Sequence, residues 1–462
     1  METRYTAAVQ ITVPMLGRAT GAEARRITCM GLSSGPRPES APGSGRRPQV
    51  GRPRRGGVSP LRDLPVVLWL LLAAVAAVIQ PYLREAVWVM VHLALLGAMT
   101  HAVLVWSTFF AQALLKTPES VDPAVHQSLR QAGMVVGVLC VVTGVPLSLW
   151  PLVVAGASVV AAVVVWHGIA MARRLRAALP SRFGVTVRYY LAASVCLPVG
   201  AVFGVLLARW PASELFGRLL TAHTLTMLLG WLGLTIIGTL VTFWPTMLRT
   251  RVDPRAAVLA QQALPIVLAG IVLIDIGALA ALQGLVVAGL LVHLLGVIWW
   301  GRALVGPFRT APPRRAPGVF AAAALVWGLV LLVSLIVHVA TADSWGAIAG
   351  GYLPITLIAV LGFTLQLLTG ALSQLIPTVL GGGPRVRAAV DAEFGRLLWF
   401  RLAVLNSGLI VALSPVPVEA QRVALAAVML AVGLLVPLLL RGIIVGVRGR
   451  RAGPQNFIAE AR

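Results

Sequence analysis

The stretch from Arg218 to Arg251, RLLTAHTLTMLLGWLGLTIIGTLVTFWPTMLRTR, contains no Asp, Glu or Lys, and no Arg between its first residue and the closing Arg249 and Arg251. Its one other ionisable group is His223. At about 1.5 Å of rise per residue such a helix crosses a hydrocarbon layer of roughly 30 Å with residues to spare. It reads as a membrane span. Met227, Gly230 and Leu234 follow His223 at helical spacings of three and four. Gly230 leaves a gap on that face, which suits either a close neighbouring helix or a flat ligand. With Gly233 and Gly238 it also fits the small-residue interfaces of packed membrane helices.

Similar runs fill most of the chain. Of 462 residues, 58% are hydrophobic and 11% charged, and the mean hydropathy of +0.89 excludes an ordinary soluble domain. The formal charge of +23 comes almost wholly from arginine, Lys116 being the single lysine. In a membrane protein such charge first reports orientation, and a nucleic-acid partner is not expected. Cys29, Cys140 and Cys196 form no CxxC pair, so neither a disulfide framework nor a zinc site is indicated.

Residues 1–60 are rich in Arg, Pro, Gly and Ser and read as a disordered basic tail. Residues 61–446 form the membrane domain, and 447–462 a short basic tail. Twelve spans are expected: 64–82, 86–115, 132–149, 151–172, 187–208, 217–248, 257–281, 283–305, 317–340, 347–380, 397–414 and 420–444. Alternate loops then carry seventeen basic residues, from Lys116 to Arg396, against four (Arg84, Arg209, Arg218, Arg422) in the others. By the positive-inside rule both termini are cytoplasmic. The fold class is an all-α, polytopic helix bundle in the lipid bilayer. No internal repeat relates its two halves.

This orientation gives each histidine a depth. His92 in the second span and His223 in the sixth share a level near the outer surface; His293 in the eighth and His338 in the ninth lie in the same half. His101 follows His92 by nine residues, about 180° around an α-helix, so the two cannot face one centre. His126 and His167 suit packing or solvated roles. Asp275, in the seventh span, is a candidate for a proton path or a helix-end ion pair. Neutral imidazoles from facing helices suit haem iron, copper or zinc, and the absence of CxxCH means that any haem would be non-covalent.

Three stretches carry a resemblance: HLALLGAMTHAVLVWS (92–107), AHTLTMLLGWLGLTIIGTLVTFWPTMLRTR (222–251) and GGYLPITLIAVLGFTLQLLTGALSQLIPTVLGGGP (350–384), supported by RRLRAALPSRFGVTVRYYLAA (173–193). Together they resemble the membrane portion of bacterial copper oxidases that join such helices to a multicopper-oxidase or nitrite-reductase-like domain. That portion is similar in turn to haem-copper oxidase subunit I and the NnrS proteins. The resemblance implies a bacterial plasma-membrane protein binding haem b or copper through His92 and His223, which sit on the family's liganding second and sixth spans, with His293 or His338 completing a metal site. It also implies a separate copper or cytochrome protein as electron-transfer partner. The family's paired seventh-span histidines and its tenth-span histidines are missing, so a full oxygen-reducing centre is not expected. The alternative from the residues alone is a transporter with a polar path along Asp275, Gln366, Gln374 and Asn406.

Overall fold

The computed structural model describes residues 64–210 and 214–451, so the expected basic tail over residues 1–60 and the last eleven residues of the chain lie outside the described part. Among the described residues there is no strand. Eleven helices among the described residues are long and apolar enough to cross a membrane. One shorter apolar helix precedes them, α1, Leu64–Val78. The long ones are α2 Ala86–Leu115, α3 Ala124–Gly144, α4 Trp150–Ala177, α5 Gly184–Leu207, α6 Glu214–Leu248, α7 Ala256–Leu279, α8 Gln283–Thr310, α9 Ala316–Thr341 and α10 Tyr352–Leu380. The last two are the stretch Gly383–Leu413, whose apolar part is α11, Leu398–Leu413, and the stretch Val418–Arg450, made of α12, Val418–Gly433, and its continuation Leu435–Arg451. The protein is an all-α, polytopic bundle.

Local chemistry explains where the boundaries differ from expectation. The third helix begins at Ala124 rather than 132. Its polar first turns are held by the carboxylate of Asp122, to which Arg130 donates two hydrogen bonds of 3.0 and 2.6 Å. The tenth span is not continuous from 347: a single turn, Trp345–Gly350, is separated from α10 at Gly351. A further helix, Gly383–Phe394, precedes α11. It is amphipathic and too polar to span. α12 is interrupted at Leu434, and Pro437, unable to donate a backbone hydrogen bond, sits in the first turn of the continuation.

Three helices stand apart by burial. The most apolar window is 61% buried in α2 and 78% buried in both α6 and α10, against 22–44% in the other long helices. These three are central, and each contains one π-helical segment: Leu93–Met99, Thr226–Gly233 and Ile358–Thr364. In two of them a threonine hydroxyl donates to the carbonyl five residues back, Thr100 to Leu95 at 3.1 Å and Thr364 to Ala359 at 2.7 Å, in step with the wider ladder.

The recurrence is metrical. The π segments begin at 93, 226 and 358, and residues 116, 249 and 382, just beyond α2, α6 and α10, all take positive φ (53°, 56° and 85°). The turns after α3 and α7 repeat as well, with left-handed Ser148 and Ala281. Inside each π segment a glycine receives the helix before it. A Cβ on Gly97 would meet the Trp69 ring at 2.9 Å, on Gly230 the Cys196 Cβ at 2.8 Å, and on Gly362 the Trp327 ring at 2.9 Å. The bundle is therefore three four-helix units in succession, α1–α4, α5–α8 and α9–α12, about 133 residues apart. The repeat runs in thirds, not halves.

Candidate metal centre

His92 ends the first α-helical part of α2, at the edge of its π segment. His223 lies on α6 three residues before that helix's π segment. The fold brings the two imidazoles together with ring centroids 6.4 Å apart and planes inclined by 12°. Trp88, one turn before His92, stacks on it at 3.8 Å and fixes the ring's orientation.

Each imidazole is tied down through the same nitrogen. Nδ1 of His92 lies 2.9 Å from the Trp88 carbonyl, and Nδ1 of His223 lies 2.8 Å from the Gly200 carbonyl of α5. A carbonyl only accepts, so both Nδ1 atoms carry the proton and donate. Both Nε2 lone pairs are thereby left as acceptors, the tautomer that binds a metal ion. A backbone carbonyl behind a liganding histidine is also the usual means of fixing ring direction.

Room for His223 comes from α5. A Cβ on Gly204 would stand 2.8 Å from its Cε1 and 3.0 Å from its Nδ1, while a Cβ on Gly200 would strike the Met227 side chain at 3.0 Å. The pattern Gly200-x-x-x-Gly204 is the small-residue spacing of close membrane-helix contacts and was readable in the sequence. Trp88, four residues before His92, was readable too. The gap at Gly230 holds no ligand space: Cys196 of α5 fills it.

The other expected residues fall elsewhere. His293 on α8 donates from Nδ1 to the Val267 carbonyl of α7, 3.2 Å away. His338 on α9 bonds through Nε2 to the Ile348 carbonyl at 2.9 Å. Its ring edge meets Tyr352 at 5.9 Å, and the Tyr352 hydroxyl lies 2.5 Å from that of Thr224, next to His223 in sequence. Tyr352 thus links His338 to the neighbourhood of His223. Among the described residues no three of His, Cys, Asp and Glu converge on a metal. Asp275 accepts a 2.7 Å hydrogen bond from Thr226, which opens the α6 π segment.

The remaining histidines and the polar residues of α10 have partners of their own. His101 is fully buried; its Nδ1 lies 2.9 Å from the Gly97 carbonyl and 3.1 Å from the Trp69 indole nitrogen, and its Nε2 lies 3.4 Å from the Gln131 carbonyl. The 180° between His92 and His101 does not hold, because the intervening π segment takes up an extra residue, about 100° of turn. His167 pairs with Ser107 at 2.9 Å, and His126 tilts against Trp166 at 5.7 Å. Gln366 and Trp327 both donate to Asn406 Oδ1, at 3.0 and 2.6 Å, while Gln374 lines a cleft at the other end of α10.

A second charged centre, unforeseen from the sequence, lies at the Arg-rich end. Asp122, in the loop after α2, is paired with Arg130 at 2.6 Å and with Arg174 of α4 at 3.8 Å. Arg174 also donates to Thr117 Oγ1 at 3.1 Å and to the Asp122 carbonyl at 3.2 Å. Burial pushes the Asp122 carboxyl up, but the hydrogen bonds and charge of Arg130, with the charge of Arg174, outweigh it and hold the group below its ordinary value.

Two neutral imidazoles this close, each with its Nε2 lone pair uncommitted by the Nδ1 bonds, would suit a copper ion or a haem iron. They do not by themselves fit a tetrahedral site. No known family model matches the chain, and no curated protein matches it either.

Proposed function

We propose that this multi-pass bundle is a membrane electron-transfer module that holds haem b or a copper ion between His92 and His223. One observation carries the reading: two near-parallel imidazoles, 6.4 Å apart, each with Nδ1 committed to a carbonyl. The resemblance of the three central stretches to haem-copper and copper-oxidase membrane regions supports it.

In this reading the chain supplies binding, orientation and a low dielectric, and the bound group supplies one-electron chemistry. The Trp88 and Gly200 carbonyls keep both Nε2 lone pairs presented, and the Trp88 ring shields one side of the pair. No third imidazole reaches it, so the module passes electrons rather than completing an oxygen-reducing centre. Its place is the bacterial plasma membrane with both termini cytoplasmic. The histidine pair then lies toward the outer face, within reach of a separate copper or cytochrome protein.

The test is a visible spectrum with metal analysis on detergent-purified protein from cells supplied with haem and copper. A Soret band, or one copper per chain, should appear in the wild type and be lost in His92→Ala and His223→Ala. A colourless, metal-free wild type would refute the proposal.

A further inference from the structure

At the Arg-rich end, α6 and α10 finish around a common cleft of about 160 Å³, roofed by the helix Gly383–Phe394. Thr246 and Arg249 line it from α6, Thr378 and Gln374 from α10, and Arg387 and Asp391 from the roof. Asp391 is the one carboxylate in this lining, and it is already taken. Arg249 pairs with it at 3.4 Å, and Arg315, at the start of α9, pairs with the same oxygen.

Arg387 lies one turn earlier on the same helix as Asp391, a spacing at which opposite charges commonly pair. It makes no ion pair or hydrogen bond among the described residues, and its side chain is exposed. The region thus sets three guanidinia against one carboxylate. Arg385 and Arg387 also occupy the beginning of the roof helix, the end at which the helix dipole disfavours cations. A bound anion would reverse that penalty and satisfy Arg387 together.

What lies alongside fixes the depth. Leu397, Trp399 and Phe400, directly after the roof helix, are 63%, 63% and 61% exposed. Exposed aromatic and apolar side chains at a helix start are the mark of the membrane–water interface. The cleft therefore opens at the level of lipid phosphates, where basic pockets between spans bind anionic headgroups.

We infer that this cleft is a phosphate-binding site, in which the guanidinia of Arg387 and Arg249 clamp a phosphate oxygen pair. The chemistry is shared by an anionic phospholipid headgroup and by free inorganic phosphate. Planar guanidinium forks suit either, through paired charge-assisted hydrogen bonds.

The experiment uses the full chain, delipidated in non-ionic detergent, as wild type, Arg387→Gln and Arg309→Gln, the last an exposed arginine outside the cleft. Phosphatidylglycerol binding is counted by native mass spectrometry against phosphatidylcholine, and inorganic phosphate is titrated by calorimetry. Arg387→Gln should weaken the binding by about tenfold, and Arg309→Gln should leave it unchanged. Selective loss of phosphatidylglycerol would identify a lipid site; selective loss of inorganic phosphate would identify a free-phosphate site. Equal binding in all three proteins, or binding of neither probe by the wild type, would overturn the inference. Arg387 holds no other part of the fold, so an unchanged thermal midpoint in the variant is expected. Haem and metal content plays no part in the readout.

Discussion

Replacing Gly204 by alanine tests whether α5 holds His223 in place. The new methyl would lie 2.8 Å from Cε1 and 3.0 Å from Nδ1. Ordinary carbon contacts are about 3.5–4.0 Å, so the ring must retreat by roughly 0.7 Å. That lengthens the Nδ1 bond to the Gly200 carbonyl, now 2.8 Å, to roughly 3.5 Å, beyond useful hydrogen-bond range. The lost bond costs about 1 kcal/mol and the overpacking about 1–3 kcal/mol, offset by about 0.5–1 kcal/mol from replacing a helical glycine. The net expectation is destabilisation by about 1–3 kcal/mol. On Gly301, well inside α8, an added Cβ would meet nothing within 4 Å. Its change to alanine should be neutral or stabilising by up to about 1 kcal/mol. Denaturation midpoints in lipid nanodiscs, read with the visible spectrum, compare the two. If Gly204→Ala matches Gly301→Ala in midpoint and matches the wild type in spectrum, the account of His223 fails.

Three other substitutions probe the frame around the pair. Asp122→Asn leaves Arg130 and Arg174 buried without their carboxylate and should cost about 3–5 kcal/mol in the same denaturation assay. Because the folded Asp122 carboxyl is held below its unfolded value, its contribution is fully present above the ordinary carboxylate range and lost as pH falls through the folded value; wild type and Asp122→Asn should therefore converge in stability only in strong acid. Gly230→Ala places a methyl 2.8 Å from Cys196 Cβ and should destabilise by about 1–3 kcal/mol; the double variant with Cys196→Gly should recover part of that loss, and strict additivity would contradict the contact. Trp69→Phe removes the indole donor to His101 and should cost about 1 kcal/mol, seen as a lower midpoint with unchanged colour.

Much of this architecture was legible because lipid leaves a chain few choices. Long apolar runs must be helices, and α2 and α5 through α9 begin and end close to the expected boundaries. The shared level of His92 and His223 followed from counting residues from the span ends. What their neighbours would be did not. The carbonyl of Gly200 is a backbone group on another helix, and no residue pattern advertises it. The helix Gly383–Phe394 escaped because its charged turns read as loop, although Asp391 and Glu393 each bind two arginines. The threefold repeat was hidden for a different reason. Its residue-level trace is thin, little more than Gly97, Gly230 and Gly362 at the close approaches, and the recurring left-handed turn is taken by Lys116, Arg249 or Gly382.

The π segments bear on how such a chain can change in length. A residue inserted into or deleted from an ordinary spanning helix rotates everything after it by about 100°, taking one whole face away from its neighbours. In α2, α6 and α10, the most buried helices, that slack is already built in. Each is effectively two rods with separate rotational settings joined by a wider turn. The half bearing His92 or His223 can keep its aim while the other half is re-indexed against different partners. A length change that would ruin α4 or α8 can be absorbed between Leu93 and Met99, or between Thr226 and Gly233, without disturbing the imidazoles.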